Sequence, residues 1–332
     1  KTGKQTKVVQ LPRNKMKYYD FFNGDADGII SLHQYRLQFP QKSEVFTGVK
    51  RDVKLLRHAV DIKNSTLSVF DISLLSNKDY IDGILNNDNI VRWFDHHEPG
   101  ETDLGESFSI KVDTDPNCCT NILVDKYIDG LHRPWTICGA YGDNLHEQAE
   151  KLNPCFNEMV MLELKEIGET LNYNGYGNEL SDLTVDPKEV YLDLHQYVSP
   201  FQYRKKSEIY NKIHTQMISD KAELSSSEIL HDTDAGKVIL LPNTKASVRY
   251  SGIYSNQQTT DDPDKAFAIL TLVNEENYRV SIRSPKTNPY GASKLALQFP
   301  TGGGREKAAG VNELPRSELN NFIEKFEEVY IK

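Results

Sequence analysis

Ile90-Val91-Arg92-Trp93-Phe94-Asp95-His96-His97-Glu98-Pro99-Gly100 is the most informative segment of this 332-residue chain. Its mostly apolar first half is typical of a buried strand, and its Glu-Pro-Gly end breaks regular structure. Packing poorly explains three titratable side chains, Asp95, His96 and His97, at the tip of such a strand. Because an isolated Asp-His-His triplet is not rare, its weight depends on acidic clusters elsewhere in the chain.

Three further acidic clusters follow apolar runs. They are Asn23-Gly24-Asp25-Ala26-Asp27-Gly28 after residues 18–22, Asp71 at the end of residues 66–71, and Gly142-Asp143-Asn144 after residues 137–141. Each cluster alone is more simply explained as a turn or a helix cap. Predicted strands and helices alternate, which indicates an α/β fold with a mostly parallel sheet and helices on both faces. Ligands bind such sheets at the carboxyl ends of the strands, where we expect all four clusters.

The remaining patterns predict a helical segment and a second set of strands. In the first part we predict a helix that starts at Ile29 and ends before Pro40, a strand at 44–48, a helix at 54–60, and a helix from a cap at Ser76 to about residue 85. Later come helices over 119–215, strand-like runs at 237–241, 247–250, 267–273 and 278–283, and a closing helix at 319–330. These changes of pattern predict a catalytic domain at 16–195, a helical connector at 196–225 and a smaller C-terminal α/β domain at 226–332.

Composition limits the classes of protein. With 38% hydrophobic and 26% charged residues the chain is an ordinary globular protein, and it has no run of about 18 apolar residues that could cross a membrane. The basic segment 1–17 lacks the apolar core of a secretory signal, and we interpret the residues before Met16 as a tail. Four cysteines without a Cys-x-x-Cys pair indicate reduced thiols and a cytoplasmic location. A net charge of -9 disfavours non-specific binding of long nucleic acid and favours small anionic substrates.

Together the clusters supply carboxylates with one or two imidazoles. This donor set suits Mn²⁺ or Mg²⁺ better than Fe²⁺ or Zn²⁺. The first cluster is not a calcium loop, because the twelfth position, counted from Asn23, is Gln34. Converging carboxylates repel one another unless a cation holds them. Two ions about 3.5–4 Å apart, bridged by one Asp, would bind a phosphate and lower the pKa of a bound water.

The four motifs and their order resemble those of the DHH phosphoesterases, in the superfamily of the nanoRNases and RecJ-like nucleases. The resemblance runs from about Tyr18 to the C-terminus, and it implies a hydrolase that uses two Mn²⁺ or Mg²⁺ ions. By this resemblance the metal ligands are Asp25, Asp27, Asp71, His96 and Asp143. It also implies that Asp71 or Asp27 bridges the ions, that Asp95 orients an imidazole, and that His97 faces the substrate phosphate or the leaving oxygen.

The C-terminal part resembles the family's associated substrate-binding domain. Its glycine-rich loop lies at Thr301–Gly310, and small residues at 308–310 predict that a helix starts there and helps to bind an anion. The implied substrate-binding residues are Asn23, Arg283, Ser284, Gly302, Gly303, Gly304 and Arg305. Two positions depart from the family pattern. Phe21 stands where many members have a ligating histidine, which predicts a weaker first metal site, and Arg305 replaces the histidine after the glycines.

The resemblance implies a metal-dependent phosphodiesterase that hydrolyses short oligonucleotides or linear dinucleotides from one end. The alternatives are a phosphatase for a small bisphosphate such as 3′-phosphoadenosine 5′-phosphate, and a nucleotide-binding module whose catalysis has decayed, which Phe21 and Arg305 motivate. An inorganic pyrophosphatase is disfavoured by the glycine loop. The implied partner is a short nucleic acid or a small nucleotide and not a membrane. A homodimer is compatible with this interpretation.

Overall fold

The computed structural model describes residues 16–331, so the segment that we interpret as a tail lies outside it. Five parallel strands form the first sheet, in the order β2-β1-β3-β4-β5. The strands are β1 Lys17–Phe22, β2 Glu44–Phe46, β3 Ser65–Phe70, β4 Ile90–Asp95 and β5 Phe108–Val112. The α/β class and the parallel sheet are therefore confirmed.

Apolar side chains cover both faces of this sheet, as successive residues of a strand point to opposite sides. In β1, Phe21 packs into a cluster with α2 (Leu74–Asn86) and the 3₁₀ turn Leu55–Ala59, whereas Phe22 packs with α1 (Ala26–Gln38) on the other face. The turn occupies the place where we predicted a helix at 54–60. The cap of α2 is Ser73, whose hydroxyl accepts from the main-chain N–H of Ser76, so the prediction of Ser76 as the cap was wrong.

The strand β5 was missed because it is a short edge strand with mostly exposed or half-buried side chains. Such a strand lacks the long apolar run that marks β3 and β4. It extends the sheet beyond β4, and the main-chain N–H of Asp113, just after it, donates to the carbonyl of Asp95. The Asp-His-His segment therefore lies next to another strand end.

Helices fill residues 120–223, as predicted. They are α3 Thr120–Tyr127, α4 Arg133–Gly142, α5 His146–Lys151, α6 Glu158–Gly175, α7 Pro187–Leu194, α8 Pro200–Lys206 and α9 Glu208–Glu223. The run 137–141 belongs to α4, so the expectation that Asp143 follows a strand was wrong. A short apolar run does not distinguish a buried strand from a buried helix. Close packing of α4 on α6 is possible because Gly168 has no side chain: a Cβ there would lie 1.9 Å from the carbonyl oxygen of Cys138.

A six-stranded mixed sheet forms the C-terminal part, in the order β10-β11-β9-β8-β7-β6. Its elements are β6 Glu228–Asp232, β7 Gly236–Leu240, α10 Lys245–Asp261, β8 Ala266–Leu272, β9 Asn277–Arg283, α11 Ala292–Ala296, β10 Gly302–Gly304, β11 Ala308–Pro315 and α12 Leu319–Tyr330. Two predictions were wrong here. Residues 247–250 lie inside α10, and residues 308–310 begin a strand that pairs with the glycine run, with Gly303 opposite Gly310.

A buried ion pair joins the two parts of the chain. Arg249 of α10 donates from Nε to Asp220 Oδ2 of α9 at 2.6 Å and from Nη2 to Oδ1 at 2.9 Å. The hydroxyl of Tyr173 in α6 also donates to this carboxylate. Burial raises the pKa of Asp220, but the hydrogen bonds from Arg249 and Tyr173 lower it below its usual value. The helices α6, α9 and α10 are therefore held together by a hydrogen-bonded charge network.

The helices among residues 16–331 include none with both the length and the apolar character that a membrane span requires. The proposed boundaries at 195 and 225 remain predictions.

Candidate metal centre

The loop after β1 places two carboxylates at helix N-termini. Asp25 caps α1, and its Oδ1 accepts from the main-chain N–H of Gly28 at 3.1 Å. The carboxylate of Asp27 accepts from the main-chain N–H groups of Thr120 at 2.8 Å and Asn121 at 2.7 Å, at the start of α3. Both carboxylates are buried. The N–H groups and dipoles of two helices therefore stabilise these negative charges at one place.

The ends of β3 and β4 bring Asp71 and His96 together. Asp71 has a left-handed backbone with φ of 56°, and its N–H donates to the carbonyl of Phe94 at 3.0 Å. Its Oδ1 lies 3.5 Å from His96 Nε2 and accepts from the hydroxyl of Thr120 at 3.2 Å. His96 Nδ1 lies 3.0 Å from the carbonyl oxygen of Cys118. Because a carbonyl only accepts, Nδ1 carries a proton, which leaves Nε2, the nitrogen that faces Asp71, as the atom that would bind a metal ion.

Asp95 holds the second histidine of the motif. His97 Nδ1 lies 2.7 Å from Asp95 Oδ1, and the Asp95 side chain is fully buried. Burial lowers the pKa of His97, but the hydrogen bond and the charge of Asp95 raise it above its usual value. One ligand atom each of Asp71, His96 and His97 lies within 4.8 Å of the others. The imidazole that Asp95 orients is therefore that of His97.

Asp143 comes from the C-terminus of α4 and completes the set. One of its oxygens lies within 4.8 Å of a carboxylate oxygen of Asp27 and of the Sγ of Cys119. This second group adjoins the first, because Thr120 donates its N–H to Asp27 and its hydroxyl to Asp71. The structure thus brings together side chains that the sequence separates by more than 100 positions: Asp25, Asp27, Asp71, His96, His97 and Asp143.

Sequence reasoning missed Lys50. This residue follows β2, and its Nζ lies 2.6 Å from Asp25 Oδ2 and 3.9 Å from Asp143 Oδ1. Burial lowers the pKa of Lys50, but Asp25, Tyr176 and Asp143 raise it well above its usual value. Its position just after a parallel strand was the available signal, because that edge of the sheet also carries the acidic clusters.

Cys119 was also missed as a neighbour of the carboxylates. Burial and the charges of Asp27 and Asp143 raise the pKa of its thiol well above the usual value. Cys119 therefore stays a neutral thiol beside the carboxylates, and it adds no negative charge.

The carboxylates repel one another strongly. Burial raises the pKa of Asp71 well above its usual value, and four neighbouring carboxylates raise it further. Burial also raises the pKa of Asp143, to about 6, although Lys50 opposes this. Burial raises the pKa of Asp25 too, but Lys50, the N–H of Gly28 and His96 together lower it below its usual value. A cation beside Asp71 would relieve this repulsion, and carboxylate oxygens with an imidazole nitrogen are ligands that Mn²⁺ accepts. The residues present therefore fit a divalent metal ion.

The raised pKa of Asp143 predicts how metal-free protein responds to pH. Between about pH 4 and pH 6 the folded state keeps a proton on Asp143 that the unfolded state has lost. The contribution of Asp143 to stability is therefore full below about pH 4 and is lost as the pH rises through about 6. We expect Asp143→Asn to stabilise the protein relative to wild type by about 1–2 kcal/mol more at pH 7 than at pH 4. Urea unfolding with a chelator measures this difference, and a pH-independent difference would contradict the prediction.

Three of the implied substrate-binding residues, Arg283, Ser284 and Asn23, hydrogen-bond to other groups of the chain. Arg283 Nε donates to Asn256 Oδ1 at 2.9 Å. The hydroxyl of Ser284 donates to the carbonyl of Glu306 at 2.7 Å and accepts from the N–H of Ala292, so it fixes a hairpin. Asn23 is buried and its Nδ2 donates to the carbonyl of Lys50 at 3.1 Å.

The glycine run serves the packing of the second sheet. A Cβ at Gly302 would lie 1.7 Å from the carbonyl oxygen of Ala296, and Gly304 has a φ of 136° that favours glycine. Arg305 is exposed at the hairpin that joins β10 to β11. Backbone geometry alone therefore accounts for Gly302 and Gly304.

A basic cavity of 330 Å³ lies on the side of Tyr176 and Arg51, next to Lys50. Arg51, which follows Lys50, lines it together with Lys245 and Arg279, and Tyr176 contacts both the cavity and Lys50. Burial and the nearby charge of Arg279 lower the pKa of Arg51. The Nε of Arg279 is buried without a hydrogen-bond partner. Two guanidinium groups and an ammonium group around one cavity form a site for an anion.

The structure of this chain is similar to several solved structures, and three of them align with 94% of its length. A DHH-domain structure described as a member of a family of ribosomal proteins is 11% identical, with a TM-score of 0.60 and 86% of its chain covered. An exonuclease RecJ bound to manganese is 14% identical, with a TM-score of 0.56 and 89% covered. A pGpG-specific phosphodiesterase, PggH of Vibrio cholerae, is 12% identical, with a TM-score of 0.52 and 99% covered.

Comparisons of sequence give no further relative, because neither a family model nor a curated protein matches. The structural likenesses extend over both sheets and the helices between them. They confirm, at the level of the fold, the resemblance that the four acidic motifs predicted. The chain has the fold of the DHH-domain phosphoesterases.

Proposed function

We propose that this chain is a metal-dependent phosphodiesterase that hydrolyses short oligonucleotides or linear dinucleotides from one end. The observation that carries the proposal is the convergence of Asp27, Asp71, His96 and Asp143 from four separate segments. Buried carboxylates that repel one another are costly to the fold, and a divalent ion offsets that cost. The RecJ structure bound to manganese has the same fold and supports Mn²⁺ as the first ion to test.

The chain's own residues supply orientation and a proton. Asp27 is held by two main-chain N–H groups and His96 by a carbonyl, so the proposed ligands are fixed before an ion binds. When bound, the ion would act as a Lewis acid towards a phosphate ester and water. His97, whose pKa Asp95 raises, is positioned to donate a proton to the leaving oxygen. Asp95 keeps that imidazole in one orientation.

The basic cavity supports recognition of a substrate end. Its volume of 330 Å³ is near the lower limit for small-molecule sites, which fits about one nucleotide. Arg51 and Arg279 would bind the terminal phosphate through their guanidinium groups, and the Tyr176 ring would contact a base or sugar. A net charge of -9 disfavours long nucleic acid outside this local basic site. Arg283 and Arg305 remain candidates for contacts further along the substrate.

The test is hydrolysis by the purified chain with Mn²⁺, with and without a chelator. Substrates are a 5′-phosphorylated linear dinucleotide, a long single strand and 3′-phosphoadenosine 5′-phosphate. We expect mononucleotides from the dinucleotide, with kcat/KM at least about 10-fold higher than for the long strand, a difference of about 1.4 kcal/mol. Hydrolysis of the monoester alone would favour the phosphatase alternative. Metal-dependent nucleotide binding without any turnover would favour the decayed module.

A further inference from the structure

We infer that the ammonium group of Lys50 stands in for one of the two metal ions expected in this centre, so that a single divalent ion binds beside it. The inference rests on the proposed function and adds to it the number of ions and a permanent positive charge from the protein. The second ion expected from the resemblance then has no place to bind.

The first argument is that the surroundings of Lys50 are built to receive a cation. Its Nζ lies 2.6 Å from Asp25 Oδ2, 3.3 Å from Asn172 Oδ1 and 3.9 Å from Asp143 Oδ1. The ammonium also lies 5.3 Å from the centre of the Tyr176 ring, within the range of a cation–π contact. Two oxygen atoms, those of Asp25 and Asn172, thus lie within hydrogen-bond distance of the ammonium group, and the carboxylate of Asp143 and an aromatic ring lie beside it.

The second argument is that the backbone holds Lys50 at this position. Its N–H donates to the carbonyl of Gly175 at 2.9 Å, at the end of α6. Its carbonyl accepts from Asn23 Nδ2 at 3.1 Å, in the same loop as Asp25. The backbone of Lys50 is therefore held through both its N–H and its carbonyl group, and its Nζ lies beside the carboxylate of Asp25.

The third argument concerns Asp25, whose two oxygens are both engaged. Oδ1 accepts from the N–H of Gly28, and Oδ2 accepts from Lys50. Within residues 16–331, Asp25 belongs to neither group of candidate metal-ligating atoms that lie within 4.8 Å of one another. Phe21, at the position of the missing histidine, stacks on Phe46 with ring centres 4.9 Å apart, on the other face of the sheet. The carboxylate of Asp25 therefore already has a cationic partner in Lys50, whereas the carboxylate of Asp27 accepts from the neutral main-chain N–H groups at the start of α3. Phe21 supplies no imidazole on the Asp25 side of the centre.

The fourth argument is the balance of charge. Four carboxylates, those of Asp25, Asp27, Asp71 and Asp143, face this centre. Lys50 and one divalent ion together supply three positive charges. These nearly neutralise the four negative charges of the carboxylates before the substrate phosphate binds. With two divalent ions and Lys50 the cations would repel one another across a few ångströms.

The experiment counts Mn²⁺ ions bound to the full chain by electron paramagnetic resonance and isothermal titration. We expect wild type to bind one Mn²⁺ with the spectrum of an isolated ion. Lys50→Met keeps the length of the side chain but removes its charge, and this variant should bind two ions with an exchange-coupled spectrum. The matched control Lys54→Met removes an exposed lysine four positions away and should still bind one ion.

Crystals of wild type soaked in Mn²⁺ give a second measurement that does not depend on the folding of a variant. We expect one anomalous peak, beside Asp71 and His96, with Lys50 Nζ still on Asp25. Two occupied ions in wild type would overturn the inference, as would one ion in both wild type and Lys50→Met. No Mn²⁺ bound to wild type would instead overturn the proposed function, so the two failures are distinguishable.

Discussion

Asp71→Asn should lower Mn²⁺-dependent hydrolysis by more than about 100-fold, because even residues that only support a metal ligand contribute 10- to 100-fold. The same change should leave the metal-free protein at least as stable as wild type. Asp71 is buried among carboxylates that raise its pKa, and a neutral amide removes that repulsion. Asparagine also tolerates the left-handed backbone at this position, where φ is 56°. Steady-state kinetics and thermal unfolding with a chelator measure the two effects.

The matched control is Asp113→Asn. Asp113 follows the neighbouring strand β5, but its side chain is one third exposed and lies 3.2 Å from Lys126 Nζ. Removing the negative charge of Asp113 should change neither the rate of Mn²⁺-dependent hydrolysis nor the affinity for Mn²⁺. An Asp71→Asn protein as active as wild type would exclude this centre as the site of hydrolysis. A variant that is both inactive and much less stable would show a structural role instead.

Asp220→Ala should lower the free energy of unfolding by about 3 kcal/mol, because it leaves a buried guanidinium without its partner. Arg249 makes two of its hydrogen bonds to Asp220, at 2.6 and 2.9 Å, and the Asp220 side chain is 1% exposed. The network links α6 and α9 to α10, which carries Lys245 and Val248 of the basic cavity. The variant should therefore also lose affinity for a substrate end. Urea unfolding and a binding titration measure the two losses.

A double-mutant cycle separates the pair from the loss of either side chain. Asp220→Leu with Arg249→Met replaces both charges with apolar groups, and we expect it to recover most of the stability, since buried ion pairs contribute little net energy over apolar packing. Additive losses in the double variant would contradict this account. The surface pair of Lys325 and Glu328, in α12, gives the control, because an exposed pair contributes only about 0–1 kcal/mol.

The sequence predicted well wherever local chemistry and periodicity agree. The runs before Asp25, Asp71 and Asp95 form strands of one parallel sheet, and their acidic residues meet at its carboxyl edge, because parallel strands present that end to the same side. The cap at Asp25 follows from the type of its side chain alone. The roles assigned to these residues remain proposals that the experiments above test.

The sequence failed where the partner of a segment is distant along the chain. Residues 137–141 and 247–250 have apolar patterns that a strand and a buried helix share, and only packing against α6 and β8 selects the helix. The strand at 308–310 exists because the glycine run 302–304 pairs with it, an interaction that local pattern does not encode.

The amino-acid sequence alone determined the parallel sheet and the meeting of three acidic motifs at its edge, because strand period and strand direction are local properties. The tertiary fold alone determined the remaining two members of the centre, Asp143 and Lys50. Asp143 arrives from a helix, and Lys50 arrives from the end of β2 to contact Asp25 at 2.6 Å. A lysine side chain shows no preference for particular carboxylates along the chain, because only packing brings Lys50 within reach of Asp25.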